Sequence, residues 1–484
     1  MTNATSPAIL NDLDADSTAT SGALFTDLIA RYLADTRDAK GPVSTSLAAE
    51  ELSRRFEEPM PRSGSVLRDV VARIERDAIR DANHLMHPMY MGHQVSAPLP
   101  AAIWTEPVIS ALNNSLAVRE MSPTLTAIET RVMRWLTDAA GLGARAGGTL
   151  TTGGTEATFT ALLAARAHAL PDSWERGVTA GAAVVLHGEH SHYSVTRAVA
   201  QLGLGTRAAI AIPSRDFRMD TDALAKRVAE LAREGARIMA VVATAGSTAT
   251  GSFDDLEAIG RICEPHDIWL HVDGAHGASA LLSLAHRSRV RGIERASSIA
   301  WDPHKMMLLP LSAGVLLVRD ERDLDAAFAQ QAPYLFHGDA GERIPDQGVR
   351  SFMCSRRGDV LKVWVALQRY GADGIAALYD HLCGVTRALY DEIARREDFQ
   401  SMHEPEANIL CFRWIGSPRR DDASLNQLNR ELRERYNRSG RGWITSTVLE
   451  GRRVLRVTIM NPRTNTKHVT RLINGLTEEA QSLL

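Results

Sequence analysis

Ser297 to Asp320 reads SSIAWDPHKMMLLPLSAGVLLVRD. A short strand-like run, Ser298 to Ala300, ends in Trp301-Asp302-Pro303, and His304-Lys305 come next. An apolar run, Met306 to Leu311, leads into a second strand-like segment, Ala313 to Val318. A lysine between two apolar segments is costly unless it is paired or used chemically. Its amine can attack a carbonyl carbon and form an imine. The other reading is a boundary lysine with a buried stem and a solvated head. These residues alone leave both readings open.

Outward from this stretch the chain alternates strands and helices. Thr149 to Thr152 leads into Gly153-Gly154-Thr155-Glu156 and a helical run, Ala157 to His168. Strand-like runs recur at Ala182 to His187, Arg207 to Pro213, Ile238 to Ala243, Ile268 to Val272, Ser298 to Trp301 and Gly314 to Val318. Helical segments at Ser194 to Leu202, Thr221 to Arg233 and Phe253 to Glu264 separate several of them. The alternation predicts an α/β fold with a mixed, mostly parallel sheet between helices. Ligands in such sheets sit beyond the carboxyl ends of the strands. Asp273, His304 and Lys305 fall just past predicted strands.

The rest of the chain frames this core. Its 484 residues imply two or three domains. Residues 1–20 are expected to be disordered. Residues 21–100 read as a helical N-terminal arm, ending in a loop rich in proline, glycine and histidine that contains His93 and Gln94. Residues 101–395 form the large domain, and 396–484 a small C-terminal α+β domain. A hydrophobic content of 44% and a charged content of 23% suit a soluble globular protein. The net charge of -3 favours neither nucleic acid nor an acidic membrane. Four scattered cysteines without a CxxC pair suggest neither a disulfide scaffold nor a zinc site. No apolar stretch is long enough to span a bilayer, and the acidic N-terminus does not read as a signal peptide. A cytoplasmic setting is expected.

Three further constellations carry chemistry. Gly153-Gly154-Thr155-Glu156 opens a helix, whose first-turn N–H groups suit a phosphate, although a plain capped turn has the same pattern. Asp273-Gly274, after a strand, is either a turn or an acidic partner for a protonated ring nitrogen. His187-Gly188-Glu189-His190-Ser191-His192 lacks the spacing of a metalloprotease, so an imidazole lying on a planar cofactor is preferred over zinc. Together they supply an anion seat, a flat platform, an acid and a buried lysine, which is what pyridoxal phosphate requires.

The chain resembles the group II pyridoxal-phosphate-dependent amino-acid decarboxylases over roughly Leu67 to Arg463. HPMYMGH, TTGGTEATFTALLAAR, EHSHYSVTRAVAQLGLG, ATAGSTATGSFDDLEAI, WLHVDGAHGAS, WDPHKM and CSRRGDVLKVW carry the likeness. The resemblance implies the aspartate-aminotransferase-like fold (fold type I) with a seven-stranded sheet, pyridoxal 5′-phosphate as cofactor and a homodimer with sites at the interface. It implies that Lys305 carries the cofactor, Asp273 pairs with its ring nitrogen, Ala275 packs beneath the ring and His192 stacks on it. Gly154 and Thr155, with Ser298 or His304 nearby, would seat the phosphate, and Thr248 would lie close to cofactor and substrate. Tyr334 would return a proton to the substrate carbon. His93 and Gln94 would face the substrate, and Arg357 would support the site and interface.

The loop YLFHGDAGERIPDQGVR departs from the aromatic enzymes of the family, which bears on the substrate rather than the chemistry. A small acidic amino acid, aspartate or glutamate, is favoured, with Arg350, Arg356 or His93 as partner to its second carboxylate. Asp339, Glu342 and Asp346 would instead suit a basic substrate such as 2,4-diaminobutyrate, lysine or ornithine; tyrosine is a further alternative. Other chemistry on the scaffold, such as aminotransfer or a desulfurase using Cys354, is the rival reading, and a non-enzymatic scaffold is the second.

Overall fold

The computed structural model describes residues 15–329, 332, 346–416 and 420–483. The chain divides into two compact units, 93–419 with 456–462, and 1–92 with 420–455 and 463–484. Compactness thus groups the N-terminal arm with most of the C-terminal segment, whereas the sequence alone divides the chain in order at residues 100 and 395.

The first of these units is built on seven strands. They are β1 (Gly147–Thr151), β2 (Val184–Gly188), β3 (Ala209–Ile212), β4 (Ile238–Thr244), β5 (Trp269–Asp273), β6 (Ser298–Trp301) and β7 (Gly314–Val318). Their order across the sheet is β1-β7-β6-β5-β4-β2-β3. Neighbours from β6 to β3 run parallel, and β7 is antiparallel to both β6 and β1. The carboxyl ends of all strands but β7 therefore point the same way. Strands such as β4 (IMAVVAT) are nearly continuous apolar runs because both faces are covered.

Helices α1 (Pro123–Ala139), α2 (Gly154–Ala169), α3 (Ser194–Gln201), α4 (Thr221–Arg233) and α5 (Leu256–Cys263) connect or flank these strands. Rich in alanine and leucine, α2 is buried on several sides. Its Ala157 and Ala161 pack with Ala300, Leu316 and Val318, and its Leu162 and Ala165 pack with Val185, Val199 and Met239. Small residues let this helix lie close to the sheet, so its N-terminus meets the strand ends. Side-chain caps fix two later helices: Asp220 accepts from Asp222 N and Ala223 N, and Asp255 accepts from Ala258 N. The long helical segment α6 (Val360–Ala394) is broken at Gly371, whose φ of +68° lies outside the helical region.

Among the described residues the first element of the other unit is the helix Ala15–Arg37, which lies partly inside the stretch expected to be disordered. Its strand Tyr90–Met91 runs parallel to Trp443–Leu449, and the Tyr90 ring stacks on Trp443 at 5.1 Å. Val43 N also donates to Gly440 O at 2.9 Å. Among the described residues no helix is long and apolar enough to cross a membrane.

Candidate active site

Five strand ends converge on one cavity of about 410 Å³. The turn after β1 brings Thr152, Gly153, Gly154, Thr155 and Glu156; the segment after β2 brings His192, Tyr193 and Ser194. Thr244, Gly246 and Thr248 come from β4 and its loop, Asp273, Ala275 and His276 from β5, and Asp302, His304, Lys305 and Leu311 from β6 and beyond.

Close backbone approach shapes the turn after β1. A Cβ on Gly154 would lie 2.8 Å from Ala275 Cβ, and Gly153 has a φ of +155°. Thr152 N and Oγ1 both donate to Glu156 Oε2, at 2.8 and 2.7 Å. This fixes the entry to α2, whose first-turn N–H groups have no partner within the helix. One of them, Gly154 N–H, donates to Asp302 Oδ2 at 3.0 Å.

Lys305 and Asp302 form the charged centre. Asp302 Oδ2 lies 3.0 Å from Lys305 Nζ and 3.4 Å from His304 Nε2. Asp302 is 1% exposed, and its Oδ1 has no hydrogen-bond partner. Ser96 Oγ donates to His304 O and Leu309 O, both at 3.0 Å, and His304 Nδ1 accepts from Ala313 N at 3.1 Å. On the other side of Lys305, Met306 to Leu309 are fully buried. The apolar run therefore anchors the lysine while its amine stays in the cavity.

Asp273 closes the end of β5 and accepts from Ala275 N at 3.2 Å. Gly246 and Gly277 let the loops after β4 and β5 touch: a Cβ on Gly277 would lie 2.5 Å from Ala245 O. The neighbouring carbonyl, Ala249 O, accepts from Arg456 Nε at 3.1 Å and Cys411 Sγ at 3.2 Å, which secures the loop that carries Thr248. His192 Nδ1 accepts from Ser194 N at 3.3 Å, leaving Nε2 to carry the ring proton.

The histidines here are held neutral. Burial lowers the pKa of His192, with Asp273 opposing and Lys305 adding to the effect. His304 is lowered for the same first reason. Fully buried, His276 is pushed down to about 3 by desolvation first and then by Lys305. Its Nε2 donates to Asn408 Oδ1 at 2.7 Å, and its Nδ1 has no partner.

Of the residues singled out from the sequence, Lys305, Asp273, His192, Gly154, Thr155, Thr248, Ala275 and His304 meet in this cavity. Ser298 does not. It starts β6 rather than ending it, so three further strand residues separate it from the carboxyl edge. Its hydroxyl sits in the core, accepting from Trp269 Nε1 at 2.8 Å and lying 2.9 Å from His271 Nδ1. His93 is exposed, Gln94 is half-buried and Arg357 pairs with Glu106 at 2.7 Å; none of the three lines the cavity. Tyr334, Asp339 and Glu342 lie outside the described residues. Asp346 accepts from Arg119 N at 2.7 Å.

The two arginines considered for an acidic substrate are engaged elsewhere. Arg356 makes a buried, two-pronged pair with Glu129, at 2.9 Å on both arms. Arg350 Nε lies 2.6 Å from Asp325 and its Nη1 3.2 Å from Glu321. Cys354 is exposed and does not line the cavity, so the desulfurase reading lacks its thiol. Among the described residues no group of three or more His, Cys, Asp or Glu is placed to hold a metal.

A reachable lysine, a carboxylate at the next strand end and a glycine-opened helix N-terminus fit pyridoxal phosphate. The contact Gly154 makes with Ala275 leaves no room for a side chain, and Asp302 Oδ1 and His276 Nδ1 are buried polar atoms without a hydrogen-bond partner in the protein. Fold and site together define the class of fold type I pyridoxal-phosphate-dependent enzymes. Residues 50–415 match the pyridoxal-dependent decarboxylase conserved domain. The chain is 36% identical to L-2,4-diaminobutyrate decarboxylase of Rhizobium meliloti (strain 1021), over 88% of this chain and 84% of that protein. It is 31% identical to cysteine sulfinic acid decarboxylase of Rattus norvegicus, over 89% and 90% respectively. A crystal structure of mouse CSAD superposes with a TM-score of 0.90 at 28% identity, covering 96% of this chain and 99% of that one. The chain belongs to the pyridoxal-dependent decarboxylase family, and its activity is the pyridoxal-phosphate-dependent removal of CO2 from an amino acid to leave an amine.

Proposed function

We propose that the substrate is a small L-amino acid with an amine side chain, 2,4-diaminobutyrate first among them, and that the working form is a homodimer. The observation that carries the substrate reading is the engagement of Arg350 and Arg356 by carboxylates. Among the described residues no arginine lines the cavity, and its histidines are neutral. A second carboxylate on the substrate would find no cation beyond Lys305 among the described residues of this chain that line the cavity. This reverses the preference for aspartate or glutamate drawn from the sequence. The 36% identical relative, a diaminobutyrate enzyme, supports the reversal, while the 31% identical relative keeps an acidic substrate as the second reading.

When bound, pyridoxal phosphate supplies an electron sink for the bond that breaks between Cα and the carboxylate. In this proposal Lys305 holds the cofactor covalently, and Asp273 keeps a proton on the ring nitrogen. Ala275 and His192 confine the flat ring from its two sides. Thr155 offers its N–H to the phosphate at the start of α2, and Gly154, whose own N–H is taken by Asp302, leaves the space for it. Tyr334 returns a proton to Cα, assisted by the Nε2–H of His192. Thr248 borders the substrate, and His93, Gln94 and Arg357 act where two copies of the chain meet. A reducing, cytoplasmic compartment accords with the four unpaired thiols.

A panel of CO2 release with identification of the amine tests the reading. Aspartate, glutamate, cysteine sulfinate, 2,4-diaminobutyrate, ornithine, lysine, tyrosine and tryptophan form the panel. The expected result is a kcat/KM for 2,4-diaminobutyrate at least about tenfold above the acidic substrates, a difference of about 1.4 kcal/mol. A preference for aspartate, glutamate or cysteine sulfinate would overturn it.

A further inference from the structure

Asp302 places a carboxylate beside the atoms proposed to receive the phosphate. Its Oδ2 already meets Gly154 N–H at 3.0 Å, Lys305 Nζ at 3.0 Å and His304 Nε2 at 3.4 Å. Its Oδ1 is buried without a donor. An anion bound by the first turn of α2 shares that turn with Asp302. Lys305 Nζ offsets part of the Asp302 charge through Oδ2, but Oδ1 has no donor, so an anion beside it is repelled unless a proton between them turns the repulsion into a short, charge-assisted hydrogen bond. A phosphate ester can supply that proton, since its second ionisation falls near pH 6 and about a tenth of it is still singly protonated at pH 7.

We propose that Asp302 makes this end of the cavity a seat for the singly protonated phosphate ester, whose remaining proton is donated to Asp302 Oδ1. The inference rests on the reading of Gly154 and Thr155 as the phosphate seat. Other groups around the cavity are poorly placed to take that proton. His304 Nδ1 accepts from Ala313 N and His192 Nδ1 from Ser194 N, so both rings already use their free lone pair. His276 is desolvated and faces Lys305, which opposes a second positive charge. Asp273 accepts from Ala275 N on a neighbouring strand end. Glu156 is the remaining carboxylate: its Oε2 takes both donors of Thr152, and its Oε1 has no partner. Asp302 is the more buried of the two and alone contacts a first-turn N–H.

The test uses the full chain freed of cofactor, with pyridoxamine 5′-phosphate as the probe because it carries the phosphate but no aldehyde. Affinity is measured from pH 6 to 8.5 for the wild type, Asp302→Asn and Glu156→Gln. Wild-type affinity is expected to fall as pH rises above 7, by up to about tenfold per unit in excess of the Asp302→Asn slope. Asp302→Asn is expected to bind about tenfold or more tightly than wild type at pH 8, while Glu156→Gln keeps the wild-type slope. Equal slopes in wild type and Asp302→Asn, or a slope lost only in Glu156→Gln, would overturn the inference. The phosphorus resonance of the probe on wild-type protein at pH 8 gives a readout free of any variant: the monoanion position supports the inference and the dianion position refutes it. Failure of all three proteins to bind the probe would instead refute the phosphate seat itself, a result distinct from equal slopes.

Discussion

Lys305 and Gly154 are the two residues whose roles can be tested most directly. Lys305→Ala removes the amine from the cavity, and decarboxylation is expected to be lost. Borohydride treatment of the cofactor-loaded wild type, followed by peptide mapping, is expected to tag Lys305; a tag on another lysine would remove the centre of the proposed site. Gly154→Ala puts a methyl group 2.8 Å from Ala275 Cβ and 3.2 Å from Asp302 Oδ2. Overpacking of this kind costs about 1–3 kcal/mol. It falls where Ala275 and Asp302 border the seat, so cofactor affinity is expected to drop about tenfold or more, measured by titration of the cofactor-free protein. At this scale the sequence is legible where residue type and strand-end position agree, as at Asp273 and Lys305. It misleads at Ser298, which has the right chemistry at the wrong end of a strand. Asp302 and His276 escape notice because one resembles a turn residue before proline and the other a polar residue after a glycine turn. Only their burial, 1% and 3% exposed, reveals them.

At the scale of elements, the turn that carries Lys305 is held from outside. Lys362, fully buried near the start of α6, lies 2.8 Å from Glu106 and 3.0 Å from Asp359. Its Nζ also donates to Ser312 O at 3.0 Å and Pro310 O at 3.5 Å, the carbonyls on either side of Leu311, which lines the cavity. Lys362→Met leaves Glu106 and Asp359 without this cation and frees both carbonyls. Glu106 keeps Arg357, so the loss is that of buried polar groups left without a donor, about 1–3 kcal/mol, which denaturant unfolding is expected to register. A loss within about 0.5 kcal/mol would show that the clamp contributes nothing. The strands themselves are read well from sequence, since continuous apolar runs in a covered sheet leave little ambiguity. Not legible is the grouping of Tyr90–Met91 with Trp443–Leu449, because pairing across some 350 positions leaves no local pattern.

In the sheet-bearing unit, three buried groups with large shifts contribute to how stability responds to acid. His271 and His276 are pushed down by burial to about 4 and about 3, whereas the unfolded chain titrates at 6.5. Their neutral forms stabilise the fold fully above pH 6.5, and that contribution is lost as pH falls toward 4. Each gives a slope of about 1.4 kcal/mol per pH unit in that window. Asp254 works in the opposite sense. Burial pushes it up to about 6 although it accepts from Met219 N and Thr244 N, both at 2.7 Å. Between its unfolded value of 3.8 and about 6 the folded state holds a proton that the unfolded state has released, so acidification through this range stabilises the fold. Two histidines against one aspartate leave a net loss of about 1.4 kcal/mol per unit between pH 6 and 4 from these groups. His276→Gln, which can keep the bond to Asn408, removes one histidine slope and is expected to flatten the acid limb of stability by that amount. Asp254→Asn removes the opposing slope and is expected to steepen the limb equally. Urea unfolding at half-unit steps from pH 4 to 7 measures both, and an acid limb identical in wild type and His276→Gln would mean that this imidazole is already solvated or paired in the folded protein.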